Sequence, residues 1–412
     1  MSRQALMQRA HELDAADPLA ECRDLFVPAR SGTDVVKAYL DGNSLGRPLK
    51  ATRQRLIDLV DGAWGTRLIR SWDEQWMELP FALGDELARV CLGAAAGQTC
   101  FADSTTVLLY KLLRAAVDAA PWGRSRIVVD TQNFPTDRYV AEAVAAERGH
   151  ELVWIEADPA GAATAEQVAE VVDERTSVVL LSHVAYKSAQ IADLPRITEV
   201  VHAAGSVVLW DLCHSVGVVP IELDRNQVDL AVGCSYKYLN GGPGAPAFAY
   251  VAQRHQGRLR QPIQGWMGHA RPFEMGPGFE ASQGMRGFIS GTPPVLAMVG
   301  IADTIELIDR FSLAEIRRKS VELTSFVVAA TDSGLSGEGV RLVSPRDPGV
   351  RGGHVTLAHP RSRQVYTQLW AEGIIPDFRE PDGIRLGLAP LSTSFVEVAY
   401  ALSRIAELVD QH

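Results

Sequence analysis

Short, uninterrupted apolar runs, each bounded by polar or turn-forming residues, dominate the middle of the chain. Ile127–Asp130, Leu152–Glu156, Ser177–Val184, Ser206–Asp211, Asp229–Ser235 and Ala247–Val251 are rich in Val, Ile and Leu and show little alternation. Runs of this kind predict strands covered on both faces. Arg138–Arg148, Ala163–Val172 and Leu194–Ala204 lie between them and read as helices. Strand and helix in alternation predict crossover connections and a mostly parallel sheet, an α/β fold.

The pattern changes towards the C-terminus. Residues 262–294 are rich in Gly, Pro and Met with little periodicity, and long irregular segments of this kind are usually functional. Ala297–Phe311 and Leu313–Ala329 then read as helices, Gly353–Leu357 and Gly383–Leu388 as strands, and Ser394–Val409 as a terminal helix. These elements predict a second, smaller α+β unit. At the other end, Leu6, Ala10 and Leu13 mark one face of a short amphipathic helix that stops near Asp17–Pro18. The expected organisation is an N-terminal arm over 1–50 that packs with the small unit or across a partner subunit. A large α/β domain over 51–295 and a small C-terminal α+β domain over 296–412 follow.

Composition excludes some partners. A length of 412 residues leaves room for two or three packed units, and a net charge of −10 argues against nucleic-acid and membrane-surface partners. The five cysteines (Cys22, Cys91, Cys100, Cys213, Cys234) are scattered without CxxC spacing, which fits free thiols in a reducing compartment. No apolar run is long enough to span a bilayer, and the first residues lack the apolar core of a signal peptide. The expected location is cytoplasmic.

Chemistry concentrates in residues 206–244. One apolar strand ends on Asp211, with His214 three residues on, and the next ends at Tyr236–Lys237. An acid and a lysine delivered to the carboxyl ends of neighbouring strands suit pyridoxal phosphate (PLP). That cofactor is held by a lysine Schiff base, and an acid keeps its ring nitrogen protonated. The plainer readings are a solvated strand-end lysine and a helix-capping aspartate. Gly241–Gly244 is not a Walker loop, since no GK[ST] follows. A metal site at Asp211, Cys213 and His214 lacks further ligands at zinc-like spacing, so none is expected.

Other segments complete the set. Asp103–Thr106 precedes a helical run, Val107–Ala119, and can cap it while offering an anion site to a phosphate. Phe134, after the strand Ile127–Asp130, can stack on a flat ring or sit in the core. Asp137 can cap the helix Arg138–Arg148, contact the cofactor, or both. In GIRLGL, Ile384, Leu386 and Leu388 share one face, leaving Arg385 and Gly387 on the other. Gly387 is expected to leave open space beside a guanidinium that suits a substrate carboxylate. The alternative is a surface arginine paired with Asp382.

The segments DGNSLGRP (41–48), WGTRLIRSW (64–72), NFPTDRYV, LSHVAYKSAQ, WDLCHSVG, GCSYKYLNGGPGAPAF, QGWMGHARPFEMGPGFEAS and GIRLGLAPLSTSF occur in this order. Together they closely resemble kynureninase, a PLP-dependent family with the aspartate aminotransferase fold (fold type I), over most of the chain. The resemblance implies that Lys237 holds the cofactor and shuttles protons, that Asp211 pairs with the ring nitrogen with His214 nearby, and that Phe134 stacks on the ring while Asp137 contacts it. It implies that Thr105, Thr106, Ser182, Tyr236, Trp266 and Thr292 line the cofactor and its phosphate, the last two coming from the neighbouring subunit of a homodimer with shared sites. Arg385 would bind the substrate carboxylate. Trp64, Trp72 and Phe134 are the candidates to surround its aromatic ring. The implied reaction is hydrolysis of L-kynurenine, or of 3-hydroxykynurenine, to anthranilate or its hydroxylated counterpart and L-alanine, in tryptophan catabolism. Tyr236 is open to two roles, acid–base or phosphate ligand. GTPP (291–294) departs from animal members, which carry an asparagine near Thr292. The rival readings are a cysteine desulfurase or class V aminotransferase of the same fold, and a catalytically silent binding module.

Overall fold

The computed structural model describes residues 2–31, 34–334 and 337–410; residues 1 and 412, the expected outer limits of the arm and the small domain, lie outside the described residues. Seven strands form the central sheet: β1 (Thr99–Ala102), β2 (Arg126–Asp130), β3 (Glu151–Ile155), β4 (Thr176–Ser182), β5 (Val207–Asp211), β6 (Leu230–Gly233) and β7 (Ala247–Val251). Their order across the sheet is β1-β7-β6-β5-β4-β2-β3. Strands β2 to β6 pair in parallel, whereas β7 runs antiparallel to both of its neighbours.

Successive strand residues point to opposite faces, and both faces are covered. Val128, Val179, Val208, Trp210 and Ala231 enter one core, against α3 (Ala165–Val171), α4 (Leu194–Ala203) and α5 (Val295–Phe311). Ile127, Val129, Val178, Leu180, Leu209 and Val232 enter the other, against α1 (Thr105–Asp118) and α2 (Pro135–Arg148). Double coverage explains the continuous apolar runs: a residue facing water on neither side has no polar option. Because β2, β4, β5 and β6 run the same way, their last residues reach one edge of the sheet. There Phe134, Ser182, Asp211 and Tyr236–Lys237 follow the strands.

The C-terminal part forms a four-stranded antiparallel sheet of β8 (Arg341–Leu342), β9 (His354–Ala358), β10 (Asp377–Arg379) and β11 (Gly383–Gly387), in the order β8-β9-β11-β10. Val355, Leu357, Ile384 and Leu386 face helices α6 (Leu313–Asp332) and α7 (Phe395–Asp410). The N-terminal helix Arg3–Ala15 buries Leu6 and Ala10 in the same cluster. Period-2 alternation puts His354, Thr356, Arg385 and Gly387 on the opposite face.

Some local expectations were displaced. The helix expected from Arg138 starts at Pro135, where a missing N–H costs nothing and φ is preset. Asp137 therefore lies inside the first turn and is not its cap. β1, β8 and β10 had no sequence signal; each has four residues or fewer, too short to show a period. The irregular stretch 262–294 contains only the short turns Trp266–Gly268 and Gly284–Phe288.

Gly387 does not leave open space. A Cβ there would lie 1.8 Å from the Asn43 side-chain amide and 3.0 Å from Asn43 N. The missing side chain admits the Asp41–Ser44 turn, which pairs with β11 through Gly387 N–H to Leu40 O at 2.7 Å and Gly42 N–H to Gly387 O at 3.3 Å. Gly387→Ala should push this turn off the strand and cost roughly 1–3 kcal/mol, as overpacking does. A melting temperature equal to wild type would show that the turn can yield.

Candidate active site

Asp211 ends β5 with its carboxylate fixed by Cys213 N–H, which donates to Oδ1 at 2.7 Å. Asp137, in the first turn of α2, is buried and feels the charge of Asp211. Burial first, and then the charge of Asp211, hold Asp137 well above the usual carboxylate range. Its Oδ2 is buried without a partner. Two adjoining buried acids form a receptor for a cationic N–H, because a positive charge beside them would relieve their repulsion.

Lys237 is 9 % exposed. Its Nζ lies 3.1 Å from His214 Nε2, 5.9 Å from the centre of the Phe134 ring and 6.0 Å from that of Tyr236. Burial, then the Lys237 charge, hold His214 well below its ordinary value. The imidazole is neutral and shares a hydrogen bond with the lysine. Phe134 is half-buried and packs edge-on against Tyr186, with centroids 5.3 Å apart. Its expected alternative, a core aromatic, is not what the fold provides. Ser182, at the end of β4, donates to Asn133 Oδ1 at 2.6 Å.

An anion site adjoins the lysine. Ser104 caps α1, and Asp103 before it adopts φ +45° with its carboxylate tied to the buried Lys111 at 2.5 Å. Thr105, Thr106 and Tyr236 line a cavity of about 490 Å³ together with Ser290–Pro294. Burial pushes the Tyr236 hydroxyl above its ordinary value, with further contributions from Cys234 and Cys213, so it stays protonated and can donate to an anion. Helix-start N–H groups, hydroxyls and a phenol make a phosphate cradle. Thr292 borders this chain's own cavity, where the sequence reading assigned it to a neighbour.

Arg385 is 1 % exposed and is not paired with Asp382, which instead meets Arg341. Its Nη1 donates to Tyr186 O at 2.7 Å and its Nη2 to Ser44 Oγ at 2.8 Å, and Asp377 stands 2.7 Å away. With the Asn43 amide oriented by its neighbours, its oxygen accepts from Arg385 Nε at 3.1 Å. Tyr186 connects the two halves of the site, holding Arg385 through its carbonyl and Phe134 through its ring. Sequence reasoning missed Asn43, Ser44, Tyr186 and Asp377, although DGNS and AYK were both noted as blocks. It missed His354 as well, whose buried ring lies 5.5 Å from His214.

Two expected residues stand apart. Trp64 is 50 % and Trp266 45 % exposed, and neither lines the cavity. Trp266 packs edge-on against Phe273, and Trp72 against Trp76. Among the described residues no group of three or more His, Cys, Asp or Glu could hold a metal, and no helix is long and apolar enough to cross a membrane.

The kynureninase C-terminal domain family matches residues 316–405. A curated kynureninase of Burkholderia pseudomallei is 40% identical over 410 residues, covering 98% of this chain and 95% of the relative. That of Pseudomonas fluorescens is 36% identical over 405 residues, covering 97% and 94%. Among solved structures, the cysteine desulfurase of Escherichia coli superposes with a TM-score of 0.78 at 18% identity, covering 95% of this chain and 99% of that one. A C-DES variant with glycine covalently linked to its PLP cofactor gives 0.78 at 17%, covering 90% and 96%. At such identities these likenesses show the fold, a PLP fold type I α/β architecture.

Proposed function

The chain belongs to the kynureninase family, and on that premise we propose that it hydrolyses the Cβ–Cγ bond of L-kynurenine, or of 3-hydroxykynurenine, in tryptophan catabolism. The products are anthranilate, or its hydroxylated counterpart, and L-alanine. The observation that carries the reading is the placement of Lys237, the Asp137–Asp211 pair and Arg385 around Phe134 and Tyr186, beside a phosphate cradle. The cofactor fits: Asp137 Oδ2 is a buried acceptor without a partner, and Lys237 Nζ lies 5.9 Å from the centre of the Phe134 ring. Bound PLP supplies an electron-accepting ring that stabilises negative charge at the substrate's α- and β-carbons.

The protein's residues then divide the work. Lys237 is the amine that anchors the cofactor and carries the α-proton. His214 keeps that amine in place. Asp211, with Asp137 behind it, holds the proton on the ring nitrogen. Thr105, Thr106 and Tyr236 bind the phosphate, Ser182 steadies the Asn133–Phe134 turn, and Phe134 covers one ring face. Arg385 orients the substrate by its α-carboxylate. One water is consumed: its oxygen ends on the γ-carbonyl carbon, which leaves as the aryl carboxylate, and Cβ gains a proton. Tyr236, protonated and beside Lys237, is placed to give that proton.

A desulfurase reading fits less well, because all five cysteines are buried and none sits on an exposed loop. The homodimer reading is supported by exposed apolar residues in the two segments that hold Trp64 and Trp266: Leu68, Ile69, Phe273 and Met275. A second copy that covers them would bring these tryptophans to a site.

Product analysis tests the function. Incubation of the PLP-loaded protein with L-kynurenine should release anthranilate and alanine in equal amounts, from a species that sediments as two chains. Desulfuration of cysteine with kynurenine left intact would overturn the assignment and leave the fold standing.

A further inference from the structure

Arg385 is not an open fork. Tyr186 O, Ser44 Oγ and the Asn43 amide oxygen take donors from its Nη1, Nη2 and Nε. The remaining contact is ionic. Asp377 lies directly opposite Arg385 across the β10–β11 pair, with its Oδ2 2.7 Å from Arg385 Nη2. The same oxygen lies 2.7 Å from Arg379 Nε. Neither contact lies along a donor's hydrogen, so this oxygen is held by charge rather than by directed bonds. The three side chains also differ in freedom. Arg385 is 1 % exposed, whereas Asp377 and Arg379 keep 17 % and 33 % of their side-chain surface. The acid and the outer arginine are partly exposed side chains, whereas the inner arginine is fully buried.

An incoming carboxylate therefore meets a cation that already has an anion. We propose that Asp377 is a positioning residue: it occupies the outer edge of Arg385 in the free protein and yields that edge to the α-carboxylate of the substrate, while Arg379 retains the displaced acid. The pairing keeps a buried guanidinium from standing uncompensated when the site is empty, a condition that is strongly unfavourable. It also lowers apparent affinity, since a ligand binds only the fraction of molecules in which the edge is free. An edge free one-tenth of the time weakens binding about tenfold. The inference deepens the function proposed above and rests on Arg385 being the carboxylate site.

The test uses the PLP-loaded protein with Asp377→Asn, Arg379→Gln and both together. KM and kcat are read with L-kynurenine, and the Kd of 3-phenylpropionate, a carboxylate without an amine, is read by calorimetry. Asp377→Asn should lower KM and Kd by about three- to tenfold, with kcat within about twofold, because a competitor has gone. Arg379→Gln should raise both constants, since Asp377 is then left to Arg385 alone. The double variant should return to the Asp377→Asn values. A KM that stays unchanged or rises in Asp377→Asn overturns the proposal and makes Asp377 a fixed support. An Arg379→Gln penalty that persists undiminished in the double variant overturns it too, because Arg379 would then contact substrate itself. If Asp377→Asn fails to fold, an unchanged KM in Arg379→Gln is the overturning result. A wild-type protein that leaves kynurenine intact, yet shows the same order of 3-phenylpropionate affinities across the variants, removes the proposed function and leaves this inference standing.

Discussion

Lys237→Ala will fold and bind PLP without covalent attachment, and will lose turnover of L-kynurenine by at least about four powers of ten, since anchor and proton carrier leave together. Folding should survive because Lys237 follows β6 outside the packed clusters; its nitrogen touches only His214 and the faces of two rings. His214 is already neutral, so removing the lysine leaves no unpaired charge behind. Three measurements separate the outcomes. The wild-type absorbance of the lysine–cofactor linkage should vanish in the variant, the borohydride-trapped adduct should be absent, and the melting temperature of the apoprotein should stay close to wild type. Near-normal turnover in Lys237→Ala would sink the mechanism.

Arg385→Ala should lower kcat/KM by about two to three powers of ten. Truncating a buried, charge-assisted carboxylate contact costs roughly 2–5 kcal/mol, and each power of ten is about 1.4 kcal/mol. The loss has two parts. The substrate loses a fully buried cation, and Asp377 loses its inner partner and is left with Arg379. Most of the effect should appear in KM if the carboxylate is bound equally before and during reaction, and in kcat if Arg385 also aligns the α-carbon with Lys237. Arg385→Lys should recover only part of the loss, because an ammonium cannot serve the Tyr186, Ser44 and Asn43 acceptors in one plane. A kcat/KM within threefold of wild type in Arg385→Ala would move the carboxylate site elsewhere.

The strands β2 to β7 could be read from the chain to within a residue or two at most ends, because burial on both faces writes itself as unbroken apolar sequence. The acid and the lysine at the ends of β5 and β6 were legible for the same reason. A polar residue that terminates an apolar run must lie at a sheet edge, and a parallel sheet gathers such edges on one side. Chain chemistry also marked α1 and its cap, and the face of β11 that carries Arg385.

The rest is decided by contacts between residues far apart in sequence, which leave no local period. Asp137 read as a helix cap, a cofactor contact or both; only the closed fold shows that burial, and then the charge of Asp211, raise its pKa. Gly387 read as room for a guanidinium; only the arrival of the 41–44 turn shows that the room is taken by Asn43, which then orients Arg385. Asp377 carries no motif at all and gains its place from strand register, which sets it opposite Arg385. Sequence by itself determined the family, the sheet and the acid and lysine at its edge, because each is written in neighbouring residues or in their periodicity. Tertiary structure decided how the charges compensate one another, because electrostatic partners are chosen by distance and burial in space: Asp137 reaches Asp211, and Asp377 reaches Arg385, only after the chain has closed around them.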